Sequence, residues 1–589
     1  MGLSAARRLG FQLIAAVLML LAVAGAGWCV LPVSMLEPGM RGYGKTVLAG
    51  TEVTTFDVRI VDVVRSNGRV PDLILIKVGG TAIEQAGGIS AGMSGSPVYI
   101  RDQLIGGIAY TTPFADTTYG YVAPIEYMLP LLDWPAERED PWAVRGQLTG
   151  SLLDDLSRAN SPVMVSGLSS RAFERLSDRL AGRGLRTVQG GAMGEFAGDQ
   201  PLVPGSSVGI QLVRGDVNVT AVGTMTHVDG DRFIAFGHSF IHQGPCQFPI
   251  VATKVAAVVP STQLPFKMAS PGTRVAGTVT QDRQMGLGGR LGAAPSMVKL
   301  DLTVSGEHLA QPTPVTMDLV WDPELTAELV GTASLGAIDS CADREGVGSA
   351  LVTLQVSLAD GTSVTRADVV STREDVGGYA ALEAKDIVEA LVLNSIGPVL
   401  PKRISLGVHI SRRPALARIA AVRVEPPTAS PGDTVLVTAE LVPFRAAAET
   451  VLFSLRVPAD AAPGFPRFRV HGKTAQSLLV YDDHETVTPT TLPEFLQMVE
   501  GSGKRRSLVC DLVFSPFDRL PLSLPFSAFV PVQPEDAESL RDLPSRPPVL
   551  RDMATQGLLQ LIRVGARVVQ DTAYVIEGDV SVPLRIVAR

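Results

Sequence analysis

Apolar and polar residues alternate with a period of two over most of this chain, and stretches with a helical period are few. Between positions 54 and 64, Phe56, Val58 and Ile60 alternate with Thr55, Asp57 and Arg59, as in a strand with one buried face. Two short apolar runs, 73–78 and 104–110, read as buried strands on either side of a loop dense in glycine and serine, 87–100. Ser66-Asn67-Gly68-Arg69 is a hairpin signal, and Asp229-Gly230 is a stronger one between the alternating runs 217–228 and 232–236. Alternation returns at 297–304, 350–359, 420–424 and 434–441, and closing strands are expected over 573–587. A helical period appears at 170–181, where Ala172, Phe173, Leu176 and Leu180 share a face and Gly182 is the stop. It appears again at 378–393, closed by Asn394 and Gly397-Pro398. The pattern predicts a mainly β protein with few short helices.

A chain of 589 residues is long enough for several domains. Residues 1–30 read as a signal peptide or membrane anchor. Arg7 and Arg8 precede an apolar core, 11–23, and the small residues Ala24-Gly25-Ala26, while the uncharged run continues through Trp28-Cys29-Val30-Leu31. The expected location is therefore exported, in the periplasm or cell envelope, with membrane anchoring through this segment if it is not cut. Residues 31–134 form one β unit, 135–204 a connector with a short helix, and 205–295 a second β unit. Residues 296–415 read as a β-rich domain with one helix, and 416–589 as an immunoglobulin-like sandwich with C-terminal strands. Within the last part, 502–506 reads as a solvated hairpin tip and 534–548 as a polar linker. A net charge of −8 without a Lys/Arg-rich block argues against nucleic acid as a partner. The 4 cysteines (Cys29, Cys246, Cys341, Cys510) are too scattered to form a disulfide framework.

The candidate chemistry lies in the glycine–serine loop. Gly92-Met93-Ser94-Gly95-Ser96-Pro97 has the form G-x-S-G-[GS]-P and resembles the nucleophile loop of proteases with a chymotrypsin-like double barrel. A serine hydroxyl needs an adjacent base, and the oxyanion formed on attack needs backbone N–H donors already aimed at it. Gly92 and Ser94 amides are the candidate oxyanion donors. The second β unit supplies a candidate base, His238, in Ala235-Phe236-Gly237-His238-Ser239-Phe240 just past a strand. Imidazole titrates close to working pH and can take the serine proton and return it.

Residues 87–100 together with 234–238 resemble the SpoIVB peptidase family of serine endopeptidases, whose members carry GGI-x-x-GMSGSP and a [FL]-G-H motif. The resemblance covers about residues 38–292. It implies a double β-barrel peptidase with Ser94 as nucleophile, His238 as base, and a protein or peptide as substrate. In the sporulation members the histidine segment comes first and a PDZ domain precedes both; here the order is reversed and no PDZ stretch is evident. The position where those members carry an aspartate falls at about Gly79, so the resemblance supplies no third triad residue. Within this sequence Asp282, after a strand of the second β unit, is the candidate acid, with an ion pair to Arg283 or a turn cap as its other reading. Asp72 is the reserve, and a Ser–His dyad is the third option. His227, His238, His242 and Cys246 suggest a metal, but Gly237, Gly244 and Pro245 oppose the helix needed to gather them, so no metal and no cofactor are expected. The expected function is an exported serine endopeptidase. The alternative is an inactive peptidase-fold scaffold that binds an envelope protein.

Overall fold

The computed structural model describes residues 30–65, 71–112, 115–134, 157–158, 161–190, 196–261, 264–307, 309, 311–342, 345–473, 489–501, 505–515 and 563–588. The export signal expected at 1–30 (save Val30), the 66–69 turn and the 534–548 linker lie outside them. Among the described residues no helix is long and apolar enough to cross a membrane. Contacts divide the chain into two compact units, 1–297 with 317–322, and 298–316 with 323–589.

The first unit opens with six strands: β1 (Arg41–Val47), β2 (Val53–Val64), β3 (Leu73–Gly79), β4 (Pro97–Ile100), β5 (Gln103–Thr111) and β6 (Tyr119–Pro124). They pair in the order β4-β1-β2-β3-β6-β5, and β5 pairs back to β4, so the sheet closes into a barrel. Closure leaves no free edge among the six. The alternation on β2 is realised, with Phe56, Val58 and Ile60 pointing into a core shared with Ile74, Ile76, Val98, Ile108 and Val122.

A second set of strands follows: β7 (Ser207–Gly215), β8 (Asn218–Asp229), β9 (Arg232–Ala235), β10 (Gly244–Val259), β11 (Phe266–Arg283) and β12 (Gly286–Leu291). Their order is β7-β10-β11-β12-β9-β8, and β8 pairs back to β7. This ring closes too, so the unit contains two six-stranded rings. The Asp229-Gly230 turn joins β8 to β9, with Asp229 opposite Arg232 and Gly230 at φ +62°. The connector is more than a spacer. Its helix, Ser170–Ala181, is capped by the Ser169 hydroxyl accepting from the Ala172 amide at 3.3 Å. On either side, Pro162–Ser166 pairs with β8 and Arg186–Gln189 runs parallel to Pro162–Ser166, extending the second sheet.

In the second unit, the expected helix is present as Val376–Val392, capped by Asp375. A second helix, Thr326–Ala342, packs on it. The sequence pattern missed this helix because residues 329–338 are buried on all sides, which erases any amphipathic period. From Leu416 onward, two four-stranded sheets enclose one core containing Val435, Val437, Phe453, Phe468, Val470, Leu508 and Leu512. That is a β-sandwich, with Leu416–Glu425 pairing in parallel with Val575–Glu577 at one edge.

Of the expected solvated hairpin tip, 502–504 lie outside the described residues, and Arg505 departs from the expectation. The Arg505 guanidinium bonds to Glu383, and its amide donates to Asp368 at 3.1 Å. Arg366 lies beside the same two carboxylates, 3.5 Å from Asp368 and 3.8 Å from Glu383. Glu383 and Asp368 are 1 % and 3 % exposed, so each charge needs its partner. Burial pushes the Glu383 carboxyl up, against the pull of Arg505. Arg505→Ala should cost about 3 kcal/mol in chemical denaturation at neutral pH. The loss should shrink in acid, as Glu383 takes a proton and the unpaired charge disappears.

Candidate active site

The loop carrying Ser94 is built almost wholly from backbone hydrogen bonds. Gly95 N–H donates to Ile108 O at 2.7 Å and Ile108 N–H to Ser96 O at 3.0 Å, clamping the loop to β5. From the second ring, Thr224 N–H donates to Ser94 O at 2.8 Å and the Thr226 hydroxyl to Gly95 O at 2.7 Å. The loop thus sits against β8. Gly95 makes that approach possible. It has φ +88°, and a Cβ there would fall 2.2 Å from Thr224 O and 2.4 Å from Phe236 N.

Two amides of the loop are left over. Met93, Gly95 and Ser96 N–H groups donate within the protein; among the described residues those of Gly92 and Ser94 do not. Their directions are nonetheless set. In a trans peptide the C=O and N–H point opposite ways. Ala91 O accepts from Lys267 N–H at 2.9 Å, which turns Gly92 N–H away from β11, and Met93 O accepts from Ser96 N–H at 2.8 Å, which fixes Ser94 N–H. An oxyanion site requires two such unused donors, aimed at one point.

His238 follows a sharp turn at the end of β9. Phe236 and Gly237 both have positive φ, +73° and +66°. For a buried phenylalanine that conformation is strained, by about 1–3 kcal/mol. A Cβ at Gly237 would meet Ile108 O at 2.7 Å. The turn brings the imidazole onto the nucleophile loop, where His238 Nε2 bonds to Ser94 Oγ. Nδ1 faces Ser239 O at 2.7 Å. A carbonyl oxygen only accepts, so Nδ1 carries a proton, and in the neutral ring Nε2 presents its lone pair to the serine hydroxyl. A hydroxyl bonded to an imidazole is the arrangement a nucleophile–base pair needs. Both side chains are buried, at 0 % and 2 % exposure.

The structure brings together Ser94 and His238 and gives Asp282 a different setting from the expected one. Asp282 lies at the end of β11, fully buried. Its oxygens accept from the amides of Phe240, Ile241 and Gln243 at 2.8, 2.9 and 3.0 Å. Burial pushes its carboxyl up, and the three amides pull it back. It therefore holds the loop that presents Ser239 O, and the orienting acceptor at Nδ1 is that carbonyl. The alternative ion pair goes unmade, since Arg283 bonds to Gln281 at 2.9 Å. Asp72 lies 3.9 Å from Arg65. Among the described residues no three or more His, Cys, Asp or Glu are placed to hold a metal, and Cys246 donates to Val279 O at 3.7 Å.

Sequence reasoning missed Lys267, on β11. It is fully buried, with Nζ 2.9 Å from Thr46 Oγ1 and 3.4 Å from Thr224 Oγ1. Thr224 Oγ1 donates its one hydrogen to Gly92 O at 3.0 Å, so the lysine is the donor in the pair. Two acceptors match the two N–H bonds of a neutral amine. Burial pushes the group down from its usual 10.5 to about 7. In the Phe266-Lys267-Met268 context it looks like any strand lysine, so no sequence signal marks it.

At Lys267 the unfolded chain binds more protons than the folded one between those two values, so this residue's contribution to stability should rise with pH from about 7 to about 10.5 and be lowest below 7. Lys267→Met should remove that rise and increase the melting temperature at pH 7, as read from thermal unfolding of both proteins at pH 7 and 10. The chain has no match among curated proteins and none among solved structures. Residues 38–129 match the family model described as SpoIVB peptidase S55. His238 lies beyond the matched segment, on the second ring. By that match, the ring that carries Ser94 is similar to the SpoIVB peptidase family.

Proposed function

We propose that this protein is a serine endopeptidase that cleaves a protein or peptide by acyl transfer, working in the periplasm or cell envelope after export. The observation that carries the reading is the bond between Ser94 Oγ and His238 Nε2 next to two pinned, unused amides. Ser94 Oγ attacks the peptide carbonyl carbon, and its proton passes to His238 Nε2. The oxyanion is received by Gly92 and Ser94 N–H. On collapse the C–N bond breaks, His238 gives its proton to the departing amine, and an ester remains on Ser94. Water then attacks that ester, losing a proton to His238, which returns it to Ser94 Oγ. The imidazolium formed in each step is stabilised by Ser239 O at Nδ1, in the place where an acid was expected. Export rests on residues 7–26, and the sandwich, read as immunoglobulin-like, would serve as a binding module.

One observation favours a second reading. With Ser94 and His238 at 0 % and 2 % exposure, a polypeptide reaches the pair only when the surrounding chain parts. A protein that never opens would be a peptidase-fold scaffold for an envelope partner. A small fluorophosphonate and intact-mass detection separate the two. The peptidase reading predicts one adduct on the wild type, none on Ser94→Ala, and labelling of His238→Ala slowed about 10³-fold or more. An unlabelled wild type, or equal labelling of Ser94→Ala, would leave the scaffold.

A further inference from the structure

Lys267 is a buried titratable group that the chemistry above does not use, and its surroundings tie it to the reacting centre. Its amine bridges Thr46 on β1 and Thr224 on β8, one from each ring. Thr224 in turn holds the nucleophile loop at two points, through its hydroxyl to Gly92 O and through its amide to Ser94 O. A threonine hydroxyl has one hydrogen and a free rotor. A donor arriving at its oxygen leaves that hydrogen directed at the remaining acceptor, here Gly92 O. The stem of Lys267 adds a steric limit. Its Cβ, Cγ and Cδ lie 3.2–3.3 Å from where a Gly92 Cβ would be, so the chain at Gly92 (φ +93°) has little room to turn.

We propose that Lys267 is a positioning residue for the oxyanion site, acting through Thr224 on the Gly92 carbonyl and through its stem on Gly92 itself. The inference rests on the peptidase reading and deepens it. A long apolar side chain would pack this site as well, and would avoid the buried amine. What it would lack is the lysine's donor bond to Thr224 Oγ1, at 3.4 Å, which the Ser96 hydroxyl supplements at 3.5 Å. Stability and rate should therefore move in opposite directions, which a purely structural lysine would not produce.

The test is the kinetics of fluorophosphonate labelling of the full-length protein, resolved into the maximal rate and the half-saturating concentration. Lys267→Met and Thr224→Val should each lower the maximal rate about tenfold, with the half-saturating concentration within about twofold of wild type. The double variant should lose no more than the worse single one, because both changes cut the same relay. Thr224→Ser, which keeps the hydroxyl, should recover most of the rate lost in Thr224→Val. That pair decides the matter if Lys267→Met does not fold. Wild-type labelling rates in Lys267→Met or in Thr224→Val, or losses that multiply to about a hundredfold, would overturn the inference alone. A wild type that takes no label would overturn the peptidase reading and this inference with it.

Discussion

The reacting centre depends on one contact, the bond from Ser94 Oγ to His238 Nε2 across 144 positions of sequence. Neither residue is placed by its own ring alone. The serine loop hangs from β5 and is held from the other side by Thr224 and Thr226 of β8. The histidine is thrown onto that loop by two consecutive positive-φ residues at the end of β9. The chemistry therefore requires both rings to be closed and docked, since a small shift between nucleophile and base costs far more rate than it costs stability.

Glycine and threonine do most of the work of docking. Gly95 lets the loop lie against the Thr224 carbonyl, and Gly237 lets the histidine turn pass the Ile108 carbonyl. Thr46, Thr224 and Thr226 then supply short, stiff hydroxyls to backbone oxygens and to the Lys267 amine. Burying these groups is tolerable only because each finds a partner. Asp282 follows the same logic on the far side of His238, where three amides meet one carboxylate and the loop bearing Ser239 O is fixed. The imidazole is oriented by backbone, and the acid stands one step behind it.

Local features were legible in the sequence. The apolar–loop–apolar pattern around Ser94, the Asp229-Gly230 hairpin, the Ser170–Ala181 helix and a histidine just past a strand all depend on near neighbours. Long-range features were not. Nothing in the local pattern says that β5 returns to β4 or that β8 returns to β7. Lys267 alternates as a surface lysine would, and only the arrival of β1 and β8 buries it. Arg505 sat in a basic run that reads as solvated until Asp368 and Glu383 come from more than a hundred residues away. The Thr326–Ala342 helix is hidden for the opposite reason, being apolar on every side. Asp282 was picked out as an acid after a strand, but its partners are amides whose direction only the folded loop sets.

The most direct measurement is a crystal structure of the protein after reaction with a small fluorophosphonate. The account predicts phosphorus bonded to Ser94 Oγ, with the phosphoryl oxygen about 3 Å from both the Gly92 and Ser94 amide nitrogens and the His238 ring still beside Oγ. An adduct on another residue, or a phosphoryl oxygen turned away from those two amides, would contradict it.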